Sequence, residues 1–205
     1  MKKSIPLIVI AIAVFGLLLS CSKKERQTEQ TGKDMNTYEL NFETGDSLLG
    51  KRVAVANLEF GIPKGWLEIP DNVMEMMRKH AAKDTGKLAM APDYAYSSDN
   101  GTVLVVSRFL HPNQPGVKFS NWATEVGQTY SDTRTGHMTD ATWITLNKIE
   151  ALKITTYDLR TVHLKVLVDA KEPVSIDFTI PKDIWDSVKD YIGAALGSVR
   201  IADKG

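Results

Sequence analysis

Val162-His163-Leu164-Lys165-Val166-Leu167-Val168-Asp169-Ala170-Lys171-Glu172-Pro173-Val174-Ser175-Ile176-Asp177-Phe178-Thr179-Ile180 reads as two strands joined by a short polar turn. Val162, Leu164, Val166 and Val168 share one face of the first strand. Val174, Ile176, Phe178 and Ile180 share one face of the second, with Ser175, Asp177 and Thr179 expected outward. A period of two matches the pleat, in which successive side chains point to opposite sides. Pro181 and Asp183 then open a helix whose apolar face is Ile184, Trp185, Val188, Ile192, Ala195 and Leu196, with Gly197 at its end. Each large side chain buried contributes about 1.5–3 kcal/mol, so this helix is expected to dock on the sheet.

Working upstream, Thr142 to Leu146 and Ala151 to Leu159 read as two further antiparallel strands. Before them, Ser120 is placed to cap a short helix carrying Trp122, Val126 and Tyr130 on one stripe, followed by a polar loop from Ser131 to Asp140. Thr102 to Leu110 is a strand, and Val103-Leu104-Val105-Val106 is apolar on both faces, as in a central strand covered on each side. It pairs with Tyr94-Ala95-Tyr96 across the turn Ser98-Asp99-Asn100-Gly101, since Asn-Gly tolerates positive φ. Pro70 and Asp71 begin a helix with Val73, Met76, Met77, His80 and Ala81 on its apolar face, and Glu75, Arg78 and Lys79 opposite. That spacing makes Met76 and Met77 core residues and leaves Met74 as the exposed contact. Lys51 to Ala56 and Leu58 to Ile62 alternate as strands, and Pro63-Lys64-Gly65 ends the second. Strands followed by helices, without strict alternation, predict an α+β fold: an antiparallel sheet flanked by helices.

The other end of the chain carries a different signal. Met1-Lys2-Lys3-Ser4 is followed by an apolar run from Ile5 to Leu19. A membrane span needs about 20 apolar residues, so the run fits a secretory signal better. It stops at Leu18-Leu19-Ser20-Cys21, which resembles the lipobox of bacterial lipoproteins: a branched residue three before the cysteine and a small one just before it. Leu19 is bulkier than is usual there. The resemblance implies a lipid on Cys21, the chain's single cysteine. The mature protein would then have no thiol for a disulfide, a metal or nucleophilic catalysis. Residues 1–20 are the expected signal and 21–37 a polar tether, because SKKERQTEQTGKDMNT offers too little apolar surface to offset its ordering entropy. Residues 38–205 are the expected domain. Ser22 stands where inner-membrane lipoproteins commonly carry aspartate, which, in a Gram-negative envelope, favours the periplasmic face of the outer membrane.

Phe60-Gly61-Ile62-Pro63-Lys64-Gly65-Trp66 resembles the F-x-x-P-x-G-W signature of PsbP-like domains. Leu146-Asn147-Lys148-Ile149-Glu150-Ala151-Leu152 resembles their middle strand and turn, with Lys148 and Ile149 where the family usually has glycine. Phe178-Thr179-Ile180-Pro181, Trp185 and Ser198-Val199-Arg200-Ile201 resemble their closing strand, helix and strand. The resemblance implies an α/β/α sandwich and, from members such as DcrB-like envelope lipoproteins, a binding or assembly module instead of an enzyme.

Composition and motifs narrow the function. Lys plus Arg and Asp plus Glu number 25 each, for a formal charge of zero, which argues against a nucleic-acid partner. There is no G-x-S-x-G elbow, no P-loop and no G-x-G-x-x-G string. His80, His111, His137 and His163 form no close ligand pair. His80 reads as packed or partly exposed and His163 as a surface residue. Trp66, Trp122, Trp143 and Trp185 read as core. Two polar loops, Leu110 to Phe119 and Ser131 to Asp140, are the best places for binding, and Arg108, His111, Asn113, Arg134 and His137 are the candidate side chains. His137 with Asp132 or Asp140 is an alternative metal site, but no cofactor is expected. The expected protein is therefore a lipid-anchored envelope module that binds a protein partner. The alternatives are a small-ligand or metal-binding lipoprotein and, last, a hydrolase with dispersed catalytic residues.

Overall fold

Alternating valines and leucines do build the centre of the structure. In the computed structural model, which describes residues 39–42, 45–84, 86, 88–110, 117–133 and 138–202, the described part falls within the unit Thr37–Gly205. The expected signal, Cys21 and the tether lie outside the described residues, as do His111, Asn113, Arg134 and His137. The strands are β1 (Leu49–Val55), β2 (Leu58–Pro63), β3 (Leu67–Glu68), β4 (Met90–Ser97), β5 (Val103–Phe109), β6 (Met138–Leu146), β7 (Ile149–Tyr157), β8 (Thr161–Val168), β9 (Val174–Pro181) and β10 (Arg200–Ile201). The helices are α1 (Asp71–Ala81), α2 (Phe119–Thr133) and α3 (Trp185–Gly197). A seven-stranded antiparallel sheet runs β3-β4-β5-β9-β8-β7-β6, and a smaller sheet runs β1-β2-β10. The α+β reading of the sequence holds.

The large sheet is covered on both faces. On one, Val162, Leu164, Val166, Val168, Val174, Ile176, Phe178 and Ile180 meet Leu58, Phe60 and Ile62 of β2 and Trp185, Val188, Ile192 and Leu196 of α3. On the other, Leu152, Ile154 and Leu167 meet Phe119, Trp122, Ala123 and Val126 of α2. β5 lies inside the sheet, and only Arg108 of its seven residues is not buried. That is why its apolar run is continuous and does not alternate.

Several expectations need correction. Ser120 does not cap α2: the helix starts at Phe119, and the carbonyl of Lys118 accepts the N–H groups of Asn121 and Trp122. α2 continues to Thr133 and β6 begins at Met138, so most of the expected loop Ser131 to Asp140 is helix or strand. On α1 the roles of the methionines reverse: Val73 and Met74 are buried, and Met76 is 60% exposed. The inward stripe is Val73, Met74 and Met77, one position round from the expected one, which leaves His80 in solvent. Arg78, expected on the polar side, instead donates to the carbonyls of Pro92 and Asp93 on β4. Trp122 and Trp185 are buried and Trp66 packs edge-on against Phe178, but Trp143 is 42% exposed. Ser175 points away from the α3 face, as alternation requires, yet it is buried there too.

The turn between β6 and β7, where the resemblance leads to the expectation of a glycine, is resolved by its own chemistry. Asn147 (φ 46°) and Lys148 (φ 71°) both occupy the left-handed region, which suits a two-residue hairpin. Asn147 tolerates it best among non-glycine residues. Its Nδ2 also donates to the carbonyls of Gly197 (2.7 Å) and Val199 (2.8 Å), so the β6–β7 turn satisfies acceptors at the end of α3. Gly197 ends α3 as expected, though for a different reason. Its φ is not positive. A β-carbon there would fall 2.1 Å from the carbonyl oxygen of Phe42, and one at Gly193 equally close to that of Asn41. The two glycines let residues 41–42 cross α3 in close contact.

Candidate functional site

Strand register assembles the ionisable residues that sequence alone leaves scattered. Across the α2 side of the sheet, one row runs Ala95, Val105, Asp177, Lys165, Ile154 and Ala141. The next row runs Ser97, Val103, Thr179, His163, Thr156 and Thr139. The first places a lysine beside an aspartate between apolar neighbours. The second is largely hydroxyl-bearing, with a histidine at its middle.

Lys165 Nζ lies 2.5 Å from Asp177 Oδ1, with the two side chains 14% and 21% exposed. It donates to Ser175 Oγ at 3.0 Å, and Ser175 Oγ donates to Asp177 Oδ2 at 2.9 Å. The Tyr130 ring of α2 sits 5.0 Å from the ammonium, a cation–π distance. Burial alone would lower the lysine's proton affinity. The Asp177 carboxylate and then the Tyr130 phenol outweigh it and hold the group above its ordinary value. Beside it, the His163 ring bridges the hydroxyls of Thr161 (Nε2, 3.1 Å) and Thr179 (Nδ1, 3.3 Å).

A serine 3.0 Å from a lysine invites comparison with a nucleophile and its base. The environment opposes that role. A general base must be unprotonated at working pH, and Asp177 keeps Lys165 protonated. The serine hydroxyl is fully buried and already donates to the carboxylate. The cluster is an internally satisfied polar network between β8 and β9 under α2. In the sequence Lys165 and Asp177 are simply the polar members of two regular alternations, which read as outward positions. Only the pairing register makes them partners.

Arg108, a candidate from the sequence, stands at the end of β5 and is already engaged. Its guanidinium forms a bidentate pair with Asp93 (2.8 and 2.9 Å) and reaches Glu172 at 3.4 Å. The hydrogen bonds that Arg108 donates to Asp93, reinforced by the carboxylate's charge, hold the guanidinium above its ordinary value. It is thus tied to the β4 bulge and the β8–β9 turn, with 42% of its side chain left in solvent. Among the described residues, no three His, Cys, Asp or Glu side chains are placed to hold a metal ion, and no helix is long and apolar enough to cross a membrane. A cleft of about 430 Å³ opens where residues 40–42 pass the β6–β7 turn, lined by Leu40, Asn41, Phe42, Thr145, Leu146, Asn147 and Gly197.

No protein-family model and no curated protein matches the chain. Several solved structures are similar to it. The solution structure of cyanobacterial PsbP (CyanoP) from Synechocystis sp. PCC 6803 shares 15% identity over 75% of this chain and 93% of its own, with a TM-score of 0.49. A crystal structure from Bacteroides thetaiotaomicron shares 13% identity over 77% of this chain, with a TM-score of 0.43, and the match spans half of that protein's length.

Proposed function

We propose that this chain is a lipid-anchored cell-envelope protein whose folded domain works by binding a protein partner and not by catalysis. The observation that carries the reading is the run Ile5 to Leu19 ending in Leu18-Leu19-Ser20-Cys21, followed by a polar stretch of tether composition. One acyl chain holds a protein to a bilayer only marginally, whereas two hold it stably. A diacylglycerol on Cys21 therefore anchors the domain, and the tether gives it reach. The domain itself supports a binding role. Its most reactive-looking cluster, Lys165 with Ser175 and Asp177, is closed in on itself.

Fractionation tests this. Protein produced from its own leader should sediment with membranes and leave them only with detergent, and Cys21→Ser should abolish the lipid-dependent retention. Affinity capture of the detergent-solubilised wild type should then recover a defined envelope protein. Retention unchanged by Cys21→Ser contradicts the anchor, and capture of nothing above background contradicts the binding role.

A second reading rests on the cleft beside the β6–β7 turn, whose volume falls in the range of small-molecule sites. There the Thr145 hydroxyl would be a polar contact, since the Asn147 amide nitrogen already donates to α3. Thermal-shift screening with small metabolites checks it. A stabilising ligand lost in Thr145→Val supports this reading, and no shift with any ligand removes it.

A further inference from the structure

β6 is the outer strand of the seven-stranded sheet, and among the described residues it pairs only with β7. Its nine residues run in unbroken register, without a bulge. Natural edges are usually blunted by lysine, proline, bulges or short length. Met138-Thr-Asp-Ala-Thr-Trp-Ile-Thr-Leu146 has none of these, and Asp140 is its one charged side chain. Its outward row of backbone N–H and C=O groups is a ready template for another strand. Ala141, Thr142, Trp143 and Thr145 are all exposed.

We propose that this edge is a homodimer seam, in which β6 of one copy pairs antiparallel with β6 of a second about a two-fold axis at Thr142. The sequence of the strand selects a second copy as the occupant, because that register is self-complementary on both faces. It sets Thr142 against Thr142 and Thr139 against Thr145, and threonine pairs across strands are favourable. It also sets Trp143 against Ala141, twice, so that each exposed indole lies over the smallest side chain on the partner's edge. Trp143 is already held upright by the Phe119 ring, 6.1 Å away and edge-on. Asp140, bonded by the Thr142 hydroxyl of its own strand, falls opposite Ile144. The two copies of Asp140 stand four residues apart along the seam, roughly 13 Å at the usual strand rise, beyond the range of strong repulsion at physiological salt. A two-fold pairing of this kind is the commonest way a chain closes on itself, and it would join two seven-stranded sheets into one.

The test uses the full chain in density-matched detergent, with Cys21→Ser so that no other thiol is present. Sedimentation equilibrium between about 1 and 100 µM, the range of weak self-association, should show a monomer–dimer transition. Ala141→Lys places a long cation under the partner's Trp143 and should weaken the dimer at least about tenfold. The variant Thr142→Cys should cross-link rapidly with oxidised glutathione, because facing β-carbons at the axis are within about 4.5–5.5 Å. Leu159→Cys, 78% exposed on the β7–β8 turn, serves as the control. A monomer throughout the range overturns the proposal. So does a dimer indifferent to Ala141→Lys, or cross-linking at residue 142 no faster than at 159.

Discussion

Replacing Lys165 by methionine keeps the length of the side chain and removes its charge. The Asp177 carboxylate then loses its cation while 21% exposed, between Val105 and the changed position, with, among the described residues, only the Ser175 hydroxyl still donating to it. Removing one partner of a buried pair typically costs 3–5 kcal/mol. The residual exposure lets Asp177 take up water or a proton, which places the cost near the lower limit, about 3 kcal/mol. At roughly 2–4 °C per kcal/mol for a domain of this size, the midpoint should fall by about 6–12 °C. Asp177→Leu should cost a similar amount, since it strands the ammonium between Ile154, Ser175 and Tyr130. The double variant fills the row Ala95, Val105, 177, 165, Ile154 with apolar side chains throughout. It should return to within about 1 kcal/mol of the parent. Urea unfolding of the four proteins gives the cycle. The reasoning is refuted if either single change loses less than about 1 kcal/mol, or if the double variant loses the sum of the two.

The same pair has a pH signature. Because Lys165 is held above its ordinary value of 10.5 in the fold, its stabilisation is complete below the unfolded value and drains away as pH rises through the folded one. Alkaline titration of stability should show that loss in the parent and a smaller one in the Lys165→Met/Asp177→Leu double variant. Asn147→Ala removes two donors from the end of α3 and forces alanine into a left-handed conformation, for a loss of about 2–3 kcal/mol. Asn147→Gly should lose about 1 kcal/mol less, because glycine accepts that φ; equal losses in urea titrations would deny the conformational part. Gly197→Ala drives a β-carbon against the Phe42 carbonyl, and displacing residues 41–42 or the helix should cost about 1–3 kcal/mol in the same assay.

What the sequence made legible was whatever depends on local periodicity. The hairpin β8–β9, the docking face of α3 and the doubly covered β5 all follow from spacing, because pleat and helix impose their periods on the residues they bury. The misread elements are those where a neighbour decides. Met74 and Met76 exchange roles because α1 is rotated to aim Arg78 at the carbonyls of β4. Ser175 is buried because α2 covers the second face of the sheet. The Lys165–Asp177 pair needed the register between β8 and β9, which a one-residue slip would abolish. That Lys148 and Ile149 stand where a turn glycine was expected was visible, but the contact that holds the turn, Asn147 reaching α3, links positions 50 residues apart.

The chemistry of the single thiol decides whether the domain is lipid-anchored, and it is read by the intact mass of the native protein and of its first peptide. The proposed reading requires a chain that begins at Cys21 and carries a thioether-linked diacylglycerol. A native product with residues 1–20 still attached and Cys21 unmodified would contradict it.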